Sequence, residues 1–153
     1  MRKKVLGIYL GMILTMPAWA IDCFFTLAKD SCWTSYNVVV DVIDARTNQV
    51  LTTVTVPAEK SWTRQSFVCE PSQKLMYHAR FTPVFWQSDE GKTYLAKRFW
   101  SLPSTINQGD SAWNLSVCFS ADFALVPFPP NATGNCACDF KDIPKLEPAI
   151  IMR

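Results

Sequence analysis

Six cysteines set the tightest limit on how this chain folds: Cys23, Cys32, Cys69, Cys118, Cys136 and Cys138. All of them follow a leader with the grammar of a secretory signal. Arg2, Lys3 and Lys4 form its charged start, and Val5 to Thr15 its apolar centre. Behind Pro17, Ala18-Trp19-Ala20 supplies an A-x-A cleavage site. A chain so addressed matures in an oxidising compartment, where thiols become cross-links. We read residues 1–20 as a signal peptide, 21–140 as one β-sandwich domain and 141–153 as a flexible carboxy-terminal tail. The leader is bacterial in style, so the expected location is periplasmic or secreted. Lipidation at Cys23 is disfavoured by the charged Asp22 before it.

Cleavage after Ala20 leaves 133 of the 153 residues, enough for one domain with a real core. Three of the 15 basic residues depart with the leader and all 13 acidic ones stay, so the mature charge is −1 rather than +2. That balance gives no electrostatic case for nucleic acid. No later apolar run is long enough to span a bilayer.

After residue 21 the hydrophobic pattern is one of alternation, with amphipathic helical periodicity nearly absent. Strands are expected at Tyr36–Ile43, Val50–Val56, Trp62–Cys69, Leu75–Trp86, Thr93–Leu102 and Ala112–Ser120, with a seventh at Phe123–Phe128. Pro57 stops the second, and Asp44–Gln49 carries turn chemistry before it. Six to seven strands at this spacing predict an all-β fold, an antiparallel β-sandwich (Ig-like or related). A small β-barrel is the alternative.

One hairpin can be read further. Asp89-Glu90-Gly91 fits a three-residue loop with Gly91 left-handed. This register sets Phe85 opposite Leu95 and Phe81 opposite Phe99. Tyr77, Ala79, Phe81, Phe85, Leu95 and Phe99 then share a core face. His78, Arg80, Trp86, Tyr94, Arg98 and Trp100 share the other, with Trp86 beside Tyr94 and Arg80 beside Trp100.

Six cysteines allow 15 pairings. Strand positions favour a core bond Cys69–Cys118. Cys136 and Cys138, pointing the same way from an extended segment, would then tie down Cys23 and Cys32. The alternative closes the short loop Cys23–Cys32. Cys136-Ala137-Cys138 lacks the C-x-x-C spacing and the helix start of a redox site, and its sequence neighbourhood has no histidine for zinc.

The chain shows no catalytic constellation. His78, its single histidine, lies mid-strand without a nucleophile elbow. Asp41, Asp44, Asp89 and Glu90 read as turn and solvent-face carboxylates. No phosphate-binding glycine loop and no calcium loop is present, so neither enzyme activity nor a cofactor is expected. The sharper candidate is the aromatic face: Arg80, Trp86, Tyr94, Arg98 and Trp100 form a ledge on which a sugar or peptide would stack, if the face is solvent-exposed.

The run Val38-Val39-Val40-Asp41, Val50-Leu51 and Val56-Pro57, followed by Tyr77-His78-Ala79-Arg80-Phe81, resembles small bacterial envelope proteins of the YbaY-like lipoprotein type. The resemblance spans less than half of the chain. The chain departs from that pattern in lacking a lipidation cysteine and in having six cysteines, and no function is carried across. The sequence thus leads to a secreted or periplasmic, non-catalytic binding protein with a protein or glycan partner. The alternatives are a carbohydrate-binding or adhesin-like module using the aromatic face, and a secreted enzyme inhibitor presenting the loop Pro127–Asn135.

Overall fold

The structure, a computed structural model, describes residues 20–146. The leader up to Trp19 and residues 147–153 of the expected tail lie outside the described residues. Eight strands are present: β1 (Ile21–Lys29), β2 (Asn37–Asp44), β3 (Val50–Val56), β4 (Trp62–Cys69), β5 (Lys74–Thr82), β6 (Tyr94–Leu95), β7 (Trp100–Ser101) and β8 (Ala112–Phe119). One sheet runs β4-β1-β8. The other runs β3-β2-β5-β6, with β7 also on β5. The two stack as a sandwich and neither closes into a barrel, which sets aside the barrel alternative. The sheets are not wholly antiparallel, because β1 and β8 run parallel.

Side-chain alternation explains the core. Val38, Val40 and Val42 of β2, Val54 and Val56 of β3, and Leu75, Tyr77, Ala79 and Phe81 of β5 all point inward. They meet Cys23, Phe25 and Leu27 of β1 and Leu115, Val117 and Phe119 of β8. Strand β1 was not expected from the sequence, although Ile21, Cys23, Phe25 and Leu27 keep a period of two. Thr26, Ala28 and Lys29 are buried as well, which blurs the alternation.

The turn after β1 is the hub. Trp33 sits in a single 3-10 turn, Ser31–Trp33, and is buried. Its ring packs edge-on against Phe81 at 4.6 Å and Phe119 at 4.8 Å, joining both sheets. Asp30 caps this turn. One carboxylate oxygen accepts from the Cys32 N–H at 2.9 Å, and the other from the Ser120 N–H at 3.0 Å and hydroxyl at 3.1 Å. Beside it the buried Lys29 ammonium donates to the carbonyls of Thr34, Tyr36 and Pro57 at 3.2, 2.8 and 2.9 Å. Burial pulls the Lys29 pKa down, and the nearby Glu59 opposes this.

The disulfides are Cys23–Cys69, Cys32–Cys136 and Cys118–Cys138. This corrects the expected core bond Cys69–Cys118 and sets aside the alternative Cys23–Cys32. Cys69 faces the core from β4, diagonal to Cys23 on β1, whereas Cys118 lies opposite Ala28 on the outer face of the same sheet. Two cysteines on opposite faces of one sheet cannot meet. The expectation that an amino-terminal cysteine reaches the carboxy-terminal pair holds for Cys32. Three disulfides with no free cysteine fit an oxidising, non-cytoplasmic compartment. Among the described residues, no helix is long and apolar enough to cross a membrane.

The last described residues lie on the outer face of the β4-β1-β8 sheet. Ser31 N–H donates to the Ala137 carbonyl, Arg64 donates to the Pro144 carbonyl at 2.8 Å, and Ile143 is buried. The packed body therefore runs to Pro144, beyond the boundary at residue 140 expected from the sequence.

The hairpin joining β2 to β3 makes a pH prediction. Asp44 is buried and accepts from Gln73 at 2.8 Å and from the backbone N–H groups of Arg46 and Thr47. The Gln73 bond, ahead of the backbone bonds, holds its pKa below the ordinary 3.8. In that window the unfolded chain binds more protons, so the contribution of Asp44 is present above about pH 4 and is lost as pH falls through the lowered value. Urea midpoints at pH 6 and pH 3 should differ less in Asp44→Asn than in the parent. An unchanged difference would refute this assignment.

Candidate interaction surface

The edge of the β3-β2-β5-β6 sheet carries the residues singled out in the sequence, in a different arrangement from the one expected. Strand β5 ends at Thr82, and Pro83 has no N–H with which to continue the ladder. The chain then leaves the sheet through a 3-10 turn at Gln87–Asp89 and a left-handed Gly91. It returns with Tyr94 opposite Ala79 and Leu95 opposite His78. The expected three-residue hairpin is absent, and the register differs by an odd number of residues. An odd shift sends every side chain of the returning strand to the other face. Tyr94 is consequently buried and stacked on Phe81, with ring centroids 5.7 Å apart. Leu95 and Phe99, expected in the core, are 55% and 53% exposed.

The five ledge residues separate accordingly. Arg98 and Trp100 stay together, the guanidinium 3.7 Å from the ring centroid. Trp100 lies opposite Leu75 rather than Arg80, leaning on Tyr77 at 5.5 Å. Arg80 pairs with Asp41 at 2.7 Å. Trp86 is exposed on the excursion, against Phe85. Tyr94 is inside and offers no stacking surface. The Tyr77 hydroxyl and the Trp100 indole N–H are buried without a hydrogen-bond partner among the described residues. Burial pushes the Tyr77 pKa up, and the Arg98 charge works against that.

Between Leu95 and Trp100 the chain holds two residues more than β5 does between His78 and Leu75. The surplus forms a bulge at Ala96–Phe99 over a cavity of about 240 Å³ lined by Met76, Tyr77, Leu95, Lys97, Arg98 and Phe99. The segment after β8 covers the outer flank of this bulge. Lys97 N–H donates to the Asp122 carbonyl at 2.9 Å, and Ala124 N–H to the Leu95 carbonyl at 2.8 Å. Ala96 and Phe123 form a single bridge, not the seventh strand expected at Phe123–Phe128.

This segment leads to a residue the sequence did not flag. Leu125 has φ 59° and is 94% exposed. The left-handed region disfavours a bulky side chain, so the backbone here holds a leucine out in water against its preference. Phe128, between Pro127 and Pro129, is 77% exposed. The inhibitory-loop candidate Pro127–Asn135 begins here, and its residues from Pro130 to Asn135 are exposed except for the half-buried Ala132.

His78 lies in a transverse row with Thr53, Asp41 and Leu95 on the outer sheet face. Both Asp41 oxygens are engaged, one by the Thr53 hydroxyl at 2.7 Å and the other by Arg80. Asp30, Cys32 and Cys136 have ligand-type atoms within 4.8 Å of one another. Both of those sulfurs are joined in a disulfide, and the Asp30 carboxylate already accepts three hydrogen bonds. The chain matches no protein-family model, no curated protein and no solved structure.

Proposed function

We propose that this chain is a secreted or periplasmic, non-catalytic binding protein that engages a protein partner through the Ala124–Pro130 loop. The observation that carries this reading is Leu125, exposed at an unfavourable φ beside the exposed Phe128. Large apolar side chains set out in water on a rigid frame are the usual anchors of a protein interface. The prolines around Phe128 and the disulfide frame limit the entropy lost on docking. The engagement of both Asp41 oxygens supports a non-catalytic role for the row containing His78. A glycan-binding reading is left with the exposed Trp86, because Tyr94 is buried and the half-buried Trp100 ring is engaged by Tyr77 and Arg98.

A photo-crosslinking residue at position 125 or 128, activated on producing cells, is expected to give a discrete adduct. The same probe at Thr53 on the distant sheet face should give none. Leu125→Asp with Phe128→Asp should abolish capture by a probe at Pro130 without lowering the thermal midpoint, since both side chains are exposed and Asp tolerates the left-handed region better than Leu. Adducts of equal yield from Thr53, or none from the loop, would refute the proposal.

A further inference from the structure

We propose that the bulge between β6 and β7 is a binding site for a small amphipathic anion, a free carboxylate carried on a short hydrocarbon chain. This site adjoins the Ala124–Pro130 loop, whose Ala124 N–H donates to the Leu95 carbonyl, but the inference does not rest on the function proposed for that loop.

The cavity has an apolar interior and a cationic rim. Met76, Leu95, Ala96 and Phe99 line it, together with the exposed Lys97 and Arg98. Lys74 does not line the hollow but lies next to it, its ammonium 4.4 Å from the Phe99 ring centroid. Among the described residues none of these three cations pairs with a carboxylate; the ion pairs are Arg80–Asp41 and Lys92–Asp89. Arg98 and Lys74 are instead held by the faces of Trp100 and Phe99, which fixes their position without neutralising them. The nearby acids form no ion pair with these cations, although the Asp122 charge reaches Tyr77 on the cavity wall. Asp41 binds Thr53 and Arg80, Asp44 binds Gln73, and Asp122 accepts from the Cys118 N–H at 2.7 Å. Lys97 and Arg98 are thus two cations without an ion-pair partner among the described residues, beside one apolar hollow.

Size and charge select the ligand. The hollow of about 240 Å³ exceeds the roughly 150 Å³ that accepts benzene in an engineered core, yet falls short of a pocket for a drug-sized molecule. A short alkyl chain fits this volume. Its carboxylate at the mouth meets Lys97 and Arg98, whose rim position leaves their N–H donors available. A cationic or uncharged amphiphile would gain the apolar contact and lose the charge match.

The test uses the disulfide-bonded protein and monomeric decanoate, followed by two-dimensional NMR. Saturable shifts are expected at Met76, Leu95, Ala96 and Phe99, weakened by added salt. Acetate and decyltrimethylammonium at equal concentration should not saturate these signals. The Lys97 side chain has no hydrogen bond or ion pair among the described residues, so Lys97→Gln should leave the fold intact and weaken binding about threefold, and Lys97→Gln with Arg98→Gln about tenfold. Leu95→Gln should weaken it as well, with the remaining amide signals unmoved. Equal affinity for the cationic amphiphile, an unchanged affinity in the double variant, or shifts centred on another face would each overturn the proposal. So would binding to anionic lipid vesicles without binding to monomeric decanoate, which would assign the patch to a membrane surface instead.

Discussion

Paired alanine substitution of Cys32 and Cys136 is expected to cost about 4 kcal/mol of folding stability, the largest loss among the three bridges. The reason is span. Cys32–Cys136 joins residues 104 apart, against 46 for Cys23–Cys69 and 20 for Cys118–Cys138. Cross-linking restricts the unfolded chain more the longer the loop it closes, so alanine at Cys118 and Cys138 should cost nearer 3 kcal/mol. The long bridge also anchors the segment before Cys138, which is otherwise held by the Cys118–Cys138 bond and by Ser31, bonded to the Ala137 and Asn135 carbonyls. Urea midpoints of the oxidised variants would measure the difference. Cleavage of the Pro130–Asn135 loop by an added protease should accelerate in the first variant. If the short bridge proved the costlier one to remove, span would not be the governing factor.

A second large effect is expected at Asp30. Asp30→Ala removes a buried carboxylate and strands three half-buried donors, the N–H groups of Cys32 and Ser120 and the Ser120 hydroxyl. At about 1–3 kcal/mol for each buried unpaired group, partly relieved by water entering the gap, a loss of about 4 kcal/mol is expected. Ser120→Ala, which removes one bond and its donor together, should cost only about 1 kcal/mol. Thermal and urea unfolding of the two variants would compare these figures. Comparable losses from both would mean that Asp30 does not latch the two strand ends. Because Asp30 also orders the turn bearing Cys32, refolding of reduced Asp30→Ala should form the Cys32–Cys136 bond more slowly.

The legible parts of the fold were those fixed by local pattern. Val50–Val56 and Trp62–Cys69 have the bounds that alternation and Pro57 predict, because each strand buries one face. Strand β1 escaped notice because it occupies the middle of its sheet and is covered on both sides near Lys29. Register was beyond reach for a related reason. Whether Tyr94 faces in or out depends on the parity of the excursion after Thr82, which the 3-10 turn at Gln87–Asp89 decides. Cysteine pairing depends in turn on which face each strand shows, so Cys69 and Cys118 could not be separated before the faces were known. Of the candidate surface, Arg98 and Trp100 were singled out through a hairpin register that the structure replaces, and they nonetheless lie together. Leu125 carries no such signal, since a left-handed leucine is imposed by the segments that flank it.

The position of β1 bears on the history of each molecule. Its partner β8 is synthesised some 90 residues later, yet the two lie side by side along their full length. Until Ala112 onward has emerged, one flank of the first strand is a row of bare amides and carbonyls. A ribosome that stalls before that point would release a product able to capture strands from its neighbours. The completed polypeptide, by contrast, fills that vacancy with its own last strand.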